Sequence, residues 1–255
     1  MPIPDRPEIG GQCANDTEHA LPITKRFSTF LSGAPALAVL AAGFAAAATQ
    51  ERDPSLRYEY PLVGDEGQQV PNHTVKLLGP IDRLPGVVVV GNLHGKKTLT
   101  EFYNLNCPYC RAAAAAIGDT LDRDLELRLV LVPFPVLGAG SIEASRVKLA
   151  IAKLGTPQQF YAFHRRIFSQ RGTADGQRAL EVARGLGFDE RVLTMLGDSD
   201  ETTRTMRNLV NLGDALGLLA TPAFIVGKVA ILGFPGQHEL QAITDAAASC
   251  GKVMC

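Results

Sequence analysis

The stretch "NLNCPYCRAAAAAIG", residues 104–118, places two cysteines directly before a run of alanines. The preceding "TLTEFYN", residues 98–104, is rich in β-branched and aromatic residues and is typical of a strand. Pro108 suits the first position of a helix, because the N–H that it lacks would have no partner there, and the alanines favour helix. We therefore expect Cys107 at the junction between a strand and the N-terminus of a helix.

A cysteine at this junction has a specific chemistry. Unpaired N–H groups and the positive end of the helix dipole stabilise its thiolate, which lowers the thiol pKa. Cys110 lies one turn later on the same face, so its sulfur can reach that of Cys107. The small ring that a disulfide would close favours reversible opening. The spacing predicts an attacking thiolate at Cys107 and a resolving thiol at Cys110.

Two other roles for the pair remain open from the residues alone: a metal site and a structural disulfide. A zinc site commonly takes four ligands from two such pairs. The other cysteines of the mature chain, Cys250 and Cys255, are spaced CxxxxC at the C-terminus, and the histidines show no metal spacing. We therefore predict a redox pair with no metal and no cofactor. Cys250 and Cys255 form either a second disulfide or two free thiols.

The elements around the motif alternate in a recognisable order. Strands are predicted at residues 87–90, 98–104 and 125–132, and again within "TPAFIVG" (221–227) and "VAILG" (229–233). Residues from about 141 to 218 are typical of helices, with Ser141 as the cap of the first and Thr156-Pro157 starting another. A last helix follows from near His238 to about Ala248. This order predicts a βαβ half and a ββα half around one sheet, separated by a helical insertion.

The N-terminus has the pattern of a targeting segment. Lys25-Arg26 precede an uncharged stretch, Phe27–Ala48, that ends in four alanines. A positive flank, an apolar region and an Ala-x-Ala end are typical of a secretory signal peptide. We predict that residues 1–48 are a leader and signal peptide, with an uncleaved membrane anchor over residues 27–48 as the alternative. The predicted location is the periplasm or another extracytoplasmic compartment.

The rest of the chain has the composition of a globular protein. Hydrophobic residues make up 46% of the sequence and charged residues 20%, and the net charge is −1. No block of Lys and Arg marks a nucleic-acid surface, so we predict no nucleic-acid partner. Residues 49–85 are polar and contain several Pro and Gly, which predicts an N-terminal arm or linker. The main domain is expected over residues 86–255.

A secreted chain with CPYC after "TEFYNLN", a helical insertion and a later "TPAFIVG" resembles the DsbA-like thiol–disulfide oxidoreductases. The resemblance covers about residues 86–248 and implies an α/β fold (α+β in some classifications), the thioredoxin fold with a helical insertion domain. It implies that Cys107 is the nucleophile and that Cys110 resolves the mixed disulfide. Pro222 matches the cis-proline that the family carries beside its active site. Glu101 matches a buried carboxylate that relays protons.

Plain structural roles are open for the last two residues. Pro222 fits an ordinary proline at the start of a strand, and Glu101 fits a charge on the solvent face of a strand. The chain also departs from the strongly oxidising members, which have Pro-His where this sequence has Pro108-Tyr109. Tyr109 has no ring nitrogen that could become cationic beside the thiolate, so a less extreme oxidant is expected. Thr221 before the proline resembles the isomerase-like relatives.

The predicted function is that of an enzyme, an exported and oxidase-like thiol–disulfide oxidoreductase. Its expected partners are reduced or misfolded exported proteins and a membrane redox partner. Because residues 49–85 are too short for the dimerisation domain of dimeric isomerases, a monomer is expected. One alternative is a disulfide reductase or isomerase that a membrane partner keeps reduced. The second is a thioredoxin-fold metal-binding protein or chaperone.

Overall fold

Six strands form one mixed sheet in residues 55–255, the part of the chain that the computed structural model describes. The strands are β1 (Asn72–Thr74), β2 (Val88–Gly91), β3 (Lys97–Tyr103), β4 (Leu127–Pro133), β5 (Ala223–Val226) and β6 (Val229–Leu232). The helices are α1 (Pro108–Leu121), α2 (Ala139–Leu154), α3 (Pro157–Ser169), α4 (Gly176–Arg184), α5 (Glu190–Gly197), α6 (Asp200–Ala215) and α7 (Gln237–Cys250).

The strand order places the motif at the centre of the sheet. The order is β1-β6-β5-β3-β4-β2, so β3 lies between β4 and β5. The β3 and β4 strands are parallel and joined by α1, while the other pairs are antiparallel. Strands β5 and β6 followed by α7 make the second half. The predicted α/β architecture, two halves separated by a helical insertion, is confirmed.

The central strand divides the core between the two faces of the sheet. Successive side chains of a strand point to opposite faces. Leu99 and Tyr103 pack with α1 and α3 residues on one face, while Phe102 packs with Phe134 and α6 residues on the other. Because Glu101 lies between Leu99 and Tyr103 at a spacing of two, its side chain belongs to the face that α1 covers.

The helical insertion comprises α2 to α6, and its first helix begins differently from the prediction. Thr156 does cap α3 with a complete capping box. Ser141, however, is not a helix cap, so that prediction was wrong. The N-cap of α2 is Gly138 with φ 87°, a left-handed conformation that favours glycine. Ser141 therefore falls inside the first turn, where its buried hydroxyl donates to Asn104 Oδ1 at 2.9 Å.

The segment before β2 is attached to the sheet. Residues 55–85 lie within the predicted polar arm or linker, and they contribute β1, which pairs with β6 at the sheet edge. Leu62, Val70 and Val75 of this segment are buried. These buried apolar side chains, together with the pairing of β1 and β6, hold this part of the arm against the sheet.

The two ends of the chain bear on other predictions. The predicted signal peptide or anchor, residues 1–48, lies outside the described residues. Among residues 55–255, no helix is both long enough and apolar enough to cross a bilayer. At the other end, Cys250 and Cys255 form a disulfide, which decides between the two alternatives for this pair.

Candidate active site

The turn between β3 and α1 is built by asparagine side chains. Asn104 Oδ1 accepts a hydrogen bond from the Asn106 N–H at 2.9 Å and a second one from Ser141. Asn106 Nδ2 in turn donates to Ser141 Oγ at 3.0 Å. Neither asparagine was predicted as part of the site, although asparagines before a helix are a turn signal, and Ser141 was predicted only as a helix cap. They fix the direction in which the chain enters α1.

Both cysteines of the motif lie where the sequence places them. Cys107 is the N-cap residue of α1, and Pro108 occupies its first turn. Cys110 is completely buried, and its sulfur accepts a hydrogen bond from the Asn104 N–H at 3.3 Å. Tyr109 between them is 66% exposed. Cys107 is 5% exposed, so only a small part of it reaches the surface, whereas Cys110 is enclosed in the core.

The second half of the fold contributes the loop before β5. The Thr221–Pro222 peptide bond is cis, and Pro222 immediately precedes β5. Cys107 Sγ donates to the Thr221 carbonyl oxygen at 2.9 Å, a contact between residues 114 positions apart. The structure thus brings together the two parts of the sequence that the family resemblance singles out.

The surroundings of Cys107 favour its thiolate. They lower its pKa from 9.0 to about 5. The largest cause is the side-chain hydrogen bond with Cys110, followed by a side-chain hydrogen bond with Thr221 and the N–H groups of Cys110 and Tyr109. Burial acts in the opposite direction, and so does the contact to the Thr221 carbonyl, which only the protonated thiol can make. The donors outweigh both effects, so Cys107 is ionised at neutral pH.

Cys110 has the opposite tendency. Burial raises its pKa well above the ordinary value, and the hydrogen bond to Cys107 and the charge of Glu101 act in the same direction. A proton therefore stays on Cys110 while Cys107 is a thiolate. This asymmetry within one CxxC pair suits a nucleophile and a resolving thiol.

Glu101 lies beneath the pair and is fully buried. The alternative of a solvent-facing strand charge is therefore wrong. Neither carboxylate oxygen has a hydrogen-bond partner among the described residues. Burial raises the pKa of Glu101 from 4.5 to about 8, with Lys148 opposing the shift and Cys107 adding to it. Glu101 can thus gain or lose a proton near neutral pH.

Lys148 and His164, which are also buried, lie on this side of the sheet. Lys148 Nζ is 2.5 Å from His164 Nδ1 and 4.0 Å from the centroid of the Tyr103 ring. The histidines, His164 among them, show no metal spacing in the sequence, and Lys148 was not predicted as a site residue. A signal was present, because Lys148 falls on the apolar stripe of α2 beside Val147 and Ile151.

Exposed apolar side chains lie in the motif and in the loops that lead to it. Tyr109 and Leu219 are 66% and 64% exposed, and Val136 and Leu137 are also exposed. The loop carrying the last two is held at the β3–α1 turn, since Asn104 Nδ2 donates to the Phe134 carbonyl at 3.3 Å. The loops that meet at Cys107 therefore present an apolar rim to solvent.

The arrangement of side chains bears on whether several of them could bind a metal ion together. Within residues 55–255, no group of three or more His, Cys, Asp or Glu side chains is arranged to hold a metal ion. The free cysteines in these residues are Cys107 and Cys110, and they form a hydrogen bond with each other. The chemistry that this arrangement can perform directly is thiol–disulfide exchange.

Comparison with known proteins places this site in a family. A family model described as thioredoxin matches residues 84–246. A thioredoxin-like oxidoreductase from Silicibacter pomeroyi DSS-3 is 34% identical with a TM-score of 0.60, over 66% of this chain and 98% of that one. No match was found among the curated proteins with which the sequence was compared.

Two further solved structures share the fold at lower identity. The thiol–disulfide exchange protein α-DsbA2 from Wolbachia pipientis is 22% identical, with a TM-score of 0.57, over 62% of this chain and 85% of that one. A periplasmic thioredoxin-like protein from Salmonella enterica serovar Typhimurium is 23% identical, also with a TM-score of 0.57, over 68% of this chain and 99% of that one. The predicted thioredoxin fold is confirmed. The chain belongs to the thioredoxin family, and a helical insertion separates its βαβ and ββα halves.

Proposed function

We propose that this chain is a thiol–disulfide oxidoreductase that exchanges disulfides with protein substrates through Cys107 and Cys110. The observation that carries the proposal is the asymmetry of the pair. Cys107 has a pKa of about 5, while burial keeps the proton on Cys110. A thiolate attacks and leaves more readily than a thiol, so exchange begins and ends at Cys107.

The reaction runs in two exchanges when the enzyme starts oxidised. A substrate thiolate attacks Cys107 Sγ, a bond forms between these two sulfurs, and the Cys107–Cys110 bond breaks. Cys110 leaves with the electron pair and takes up a proton. A second substrate thiolate then attacks the first substrate sulfur and releases Cys107 as a thiolate. The substrate dithiol is oxidised to a disulfide, and the enzyme disulfide is reduced to a dithiol.

Glu101 serves as the proton relay of this cycle in our proposal. Cys110 must gain a proton when the enzyme disulfide opens and lose one when it closes. Glu101 interacts electrostatically with Cys110, and its own pKa of about 8 lets it both give and accept a proton. Without such a group, the buried thiolate of Cys110 would have to form without compensation.

The site suits unfolded protein substrates. Its rim of Tyr109, Val136, Leu137 and Leu219 offers apolar contacts that do not depend on a particular sequence. We propose reduced or misfolded exported proteins as substrates and a membrane redox partner that restores the enzyme, which acts as a monomer. The signal-like residues 1–48 support an extracytoplasmic location, and the Salmonella protein of similar fold is periplasmic.

The acidity of Cys107 also bears on the direction of electron flow. A stabilised thiolate stabilises the reduced enzyme, which makes the enzyme disulfide oxidising. The pKa of about 5 at Cys107 lies between that of the strong oxidant DsbA, about 3.5, and that of thioredoxin, about 7. We therefore propose an oxidase of moderate strength. Thr221 and Tyr109 favour a reductase or isomerase as the second candidate.

Two measurements test these assignments. Cys107→Ser should abolish oxidative refolding of a reduced protein substrate, while the Cys250→Ser/Cys255→Ser double variant should keep this activity. Full activity in Cys107→Ser would show that the assignment is wrong. The reduction potential of the Cys107/Cys110 couple decides the direction: a value near about −120 mV supports the oxidase, and one near about −270 mV supports the reductase.

A further inference from the structure

The helical insertion contributes a buried basic pair to the underside of the active site. Lys148 on α2 and His164 on α3 have almost no exposed surface. Their nitrogens, Lys148 Nζ and His164 Nδ1, lie 2.5 Å apart. A lysine removed from water is costly to keep charged unless other groups compensate for it. The exchange reaction at the cysteines does not by itself require such a lysine.

The groups that face the pair come from the sheet and from the helices that cover it. Lys148 Nζ lies 4.0 Å from the centroid of the Tyr103 ring and 4.6 Å from that of Phe160. The titratable and charged groups around the pair are Glu101 and Tyr103 on β3, Cys110 on α1 and Tyr161 on α3, with Asp119, Asp122 and Arg165 beyond Tyr161. Among these neighbours, Glu101 and Cys110 are the ones that attract a positive charge on Lys148.

Glu101 and Lys148 can hold one proton in two arrangements of the same net charge. In one, a carboxylate faces an ammonium group, and in the other, a carboxylic acid faces an amine. Burial penalises the charged arrangement, and neither Glu101 oxygen has a hydrogen-bond partner among residues 55–255. The ammonium group of Lys148, by contrast, donates a hydrogen bond to His164 and lies over the faces of the Tyr103 and Phe160 rings. Burial lowers the pKa of Lys148 well below its usual value, and the charges of Glu101 and Cys110 oppose that shift. The contacts of Lys148 with His164 and the two rings support the charged arrangement against this burial.

We propose that Lys148 and His164 are positioning residues that keep Glu101 able to take the proton of Cys110, an inference that rests on the function proposed above. In the resolving step, Glu101 accepts this proton, and the Cys110 thiolate attacks Cys107 Sγ of the mixed disulfide. The Cys107–Cys110 bond forms, and the substrate sulfur leaves with the electron pair. The ammonium group of Lys148 stabilises the carboxylate that must be present before this step. His164 holds that ammonium group in place.

The test measures the resolving step against pH. A mixed disulfide between Cys107 and glutathione is prepared, and the release of glutathione is followed in the wild type, Lys148→Met and His164→Phe. Removing an opposite charge raises the pKa of a nearby carboxyl by about 1–3 units. Lys148→Met should therefore shift the profile upward by about 1–3 pH units and slow release at pH 7 by about tenfold or more. His164→Phe should shift the profile in the same direction by less.

Matched variants separate this role from a structural one. Lys153→Met, on the exposed side of the same helix, should leave the profile unchanged. In a Glu101→Gln background, Lys148→Met should produce no further shift, because its effect passes through the carboxyl. An unchanged profile in both Lys148→Met and His164→Phe would overturn the proposal, and so would an equal shift in the Glu101→Gln background. Failure of the proposed function is a different result, in which Cys107 forms no mixed disulfide at all.

Both substitutions suit the buried site. Methionine has nearly the length of lysine, and replacing a buried charge by an apolar side chain is commonly tolerated. Phenylalanine keeps a ring at His164, where the Tyr103 ring packs edge-on at 4.9 Å. If one variant fails to fold, the other still reports on the same carboxyl. The Cys107 thiolate titration provides a further readout, since general damage to the site would move it as well.

Discussion

Acidification should distinguish Cys107 from an ordinary cysteine more clearly than neutral pH does. The structure lowers the pKa of Cys107 from 9.0 to about 5. At pH 7, this raises the thiolate fraction about 100-fold over that of an ordinary thiol. Each thiolate is less nucleophilic, however, because nucleophilicity falls with a Brønsted coefficient of about 0.4–0.5. Over four pKa units, that loss is about 40–100-fold, so the two effects nearly cancel at pH 7.

At pH 5 the balance changes. About half of Cys107 is ionised there, since its pKa is about 5. About one ordinary thiol in 10,000 is a thiolate at that pH, so the gain in thiolate is about 5,000-fold. After the same loss of nucleophilicity, Cys107 should attack a small disulfide about 50–120 times faster than an ordinary thiol.

The assay compares the reduced protein with a short peptide that contains one cysteine. Each is mixed with an aromatic disulfide, and the coloured leaving group is followed from pH 4 to pH 10, about the range over which thiols titrate. Cys110→Ala, which removes the largest cause of the pKa shift, should move the midpoint for Cys107 upward. A wild-type midpoint near that of the peptide, or equal rates for the two at pH 5, would refute the reasoning.

Two further predictions concern stability. Gly213→Ala should destabilise the protein by about 1–3 kcal/mol in urea unfolding, because a Cβ there would lie within 3.0 Å of three atoms of the Phe134 ring. Gly118→Ala, where the nearest atom would be 3.6 Å away, should be neutral or stabilising, and equal losses in the two variants would contradict the packing argument. Because the pKa of Glu101 is raised in the folded state, its contribution to the free energy of unfolding is fully present below pH 4.5. This contribution is lost as the pH rises through about 8. The disulfide form lacks the Cys107 charge that adds to this pKa shift, so it should lose less than about 5 kcal/mol over that range; Glu101→Gln should flatten the curve, and an unchanged curve would show that Glu101 is not the responsible group.

Local rules explain why the cysteine pair could be predicted from its own neighbourhood. A strand, a proline at the first helical position and a run of alanines together define where α1 begins. The position of Cys107 then follows. Pro222 required the family resemblance, because its contact with the site crosses 114 residues from Cys107 to Thr221 and no local pattern encodes it.

The underside of the site was harder to predict, since it depends on how elements pack. The burial of Glu101 follows from the face of β3 that α1 covers, which the strand alone does not specify. Lys148 reaches this face by its long side chain from α2, which packs against α3. Packing between helices of this kind leaves no periodic signal in the sequence. The error at Ser141 has a local cause, because Gly138 with its positive φ begins the helix one turn earlier than the serine would.

The position of β3 between β4 and β5 has a consequence for how the protein is made. A ribosome delivers Cys107 and Cys110 more than 100 residues before Thr221, whose carbonyl and side chain complete the environment of the nucleophile. A growing chain thus carries its two thiols through most of its synthesis without the loop that contacts them. Contacts so distant in sequence form late and slowly. The pKa of Cys107 is therefore fully lowered only when the C-terminal strands join the sheet and bring Thr221 to the thiol.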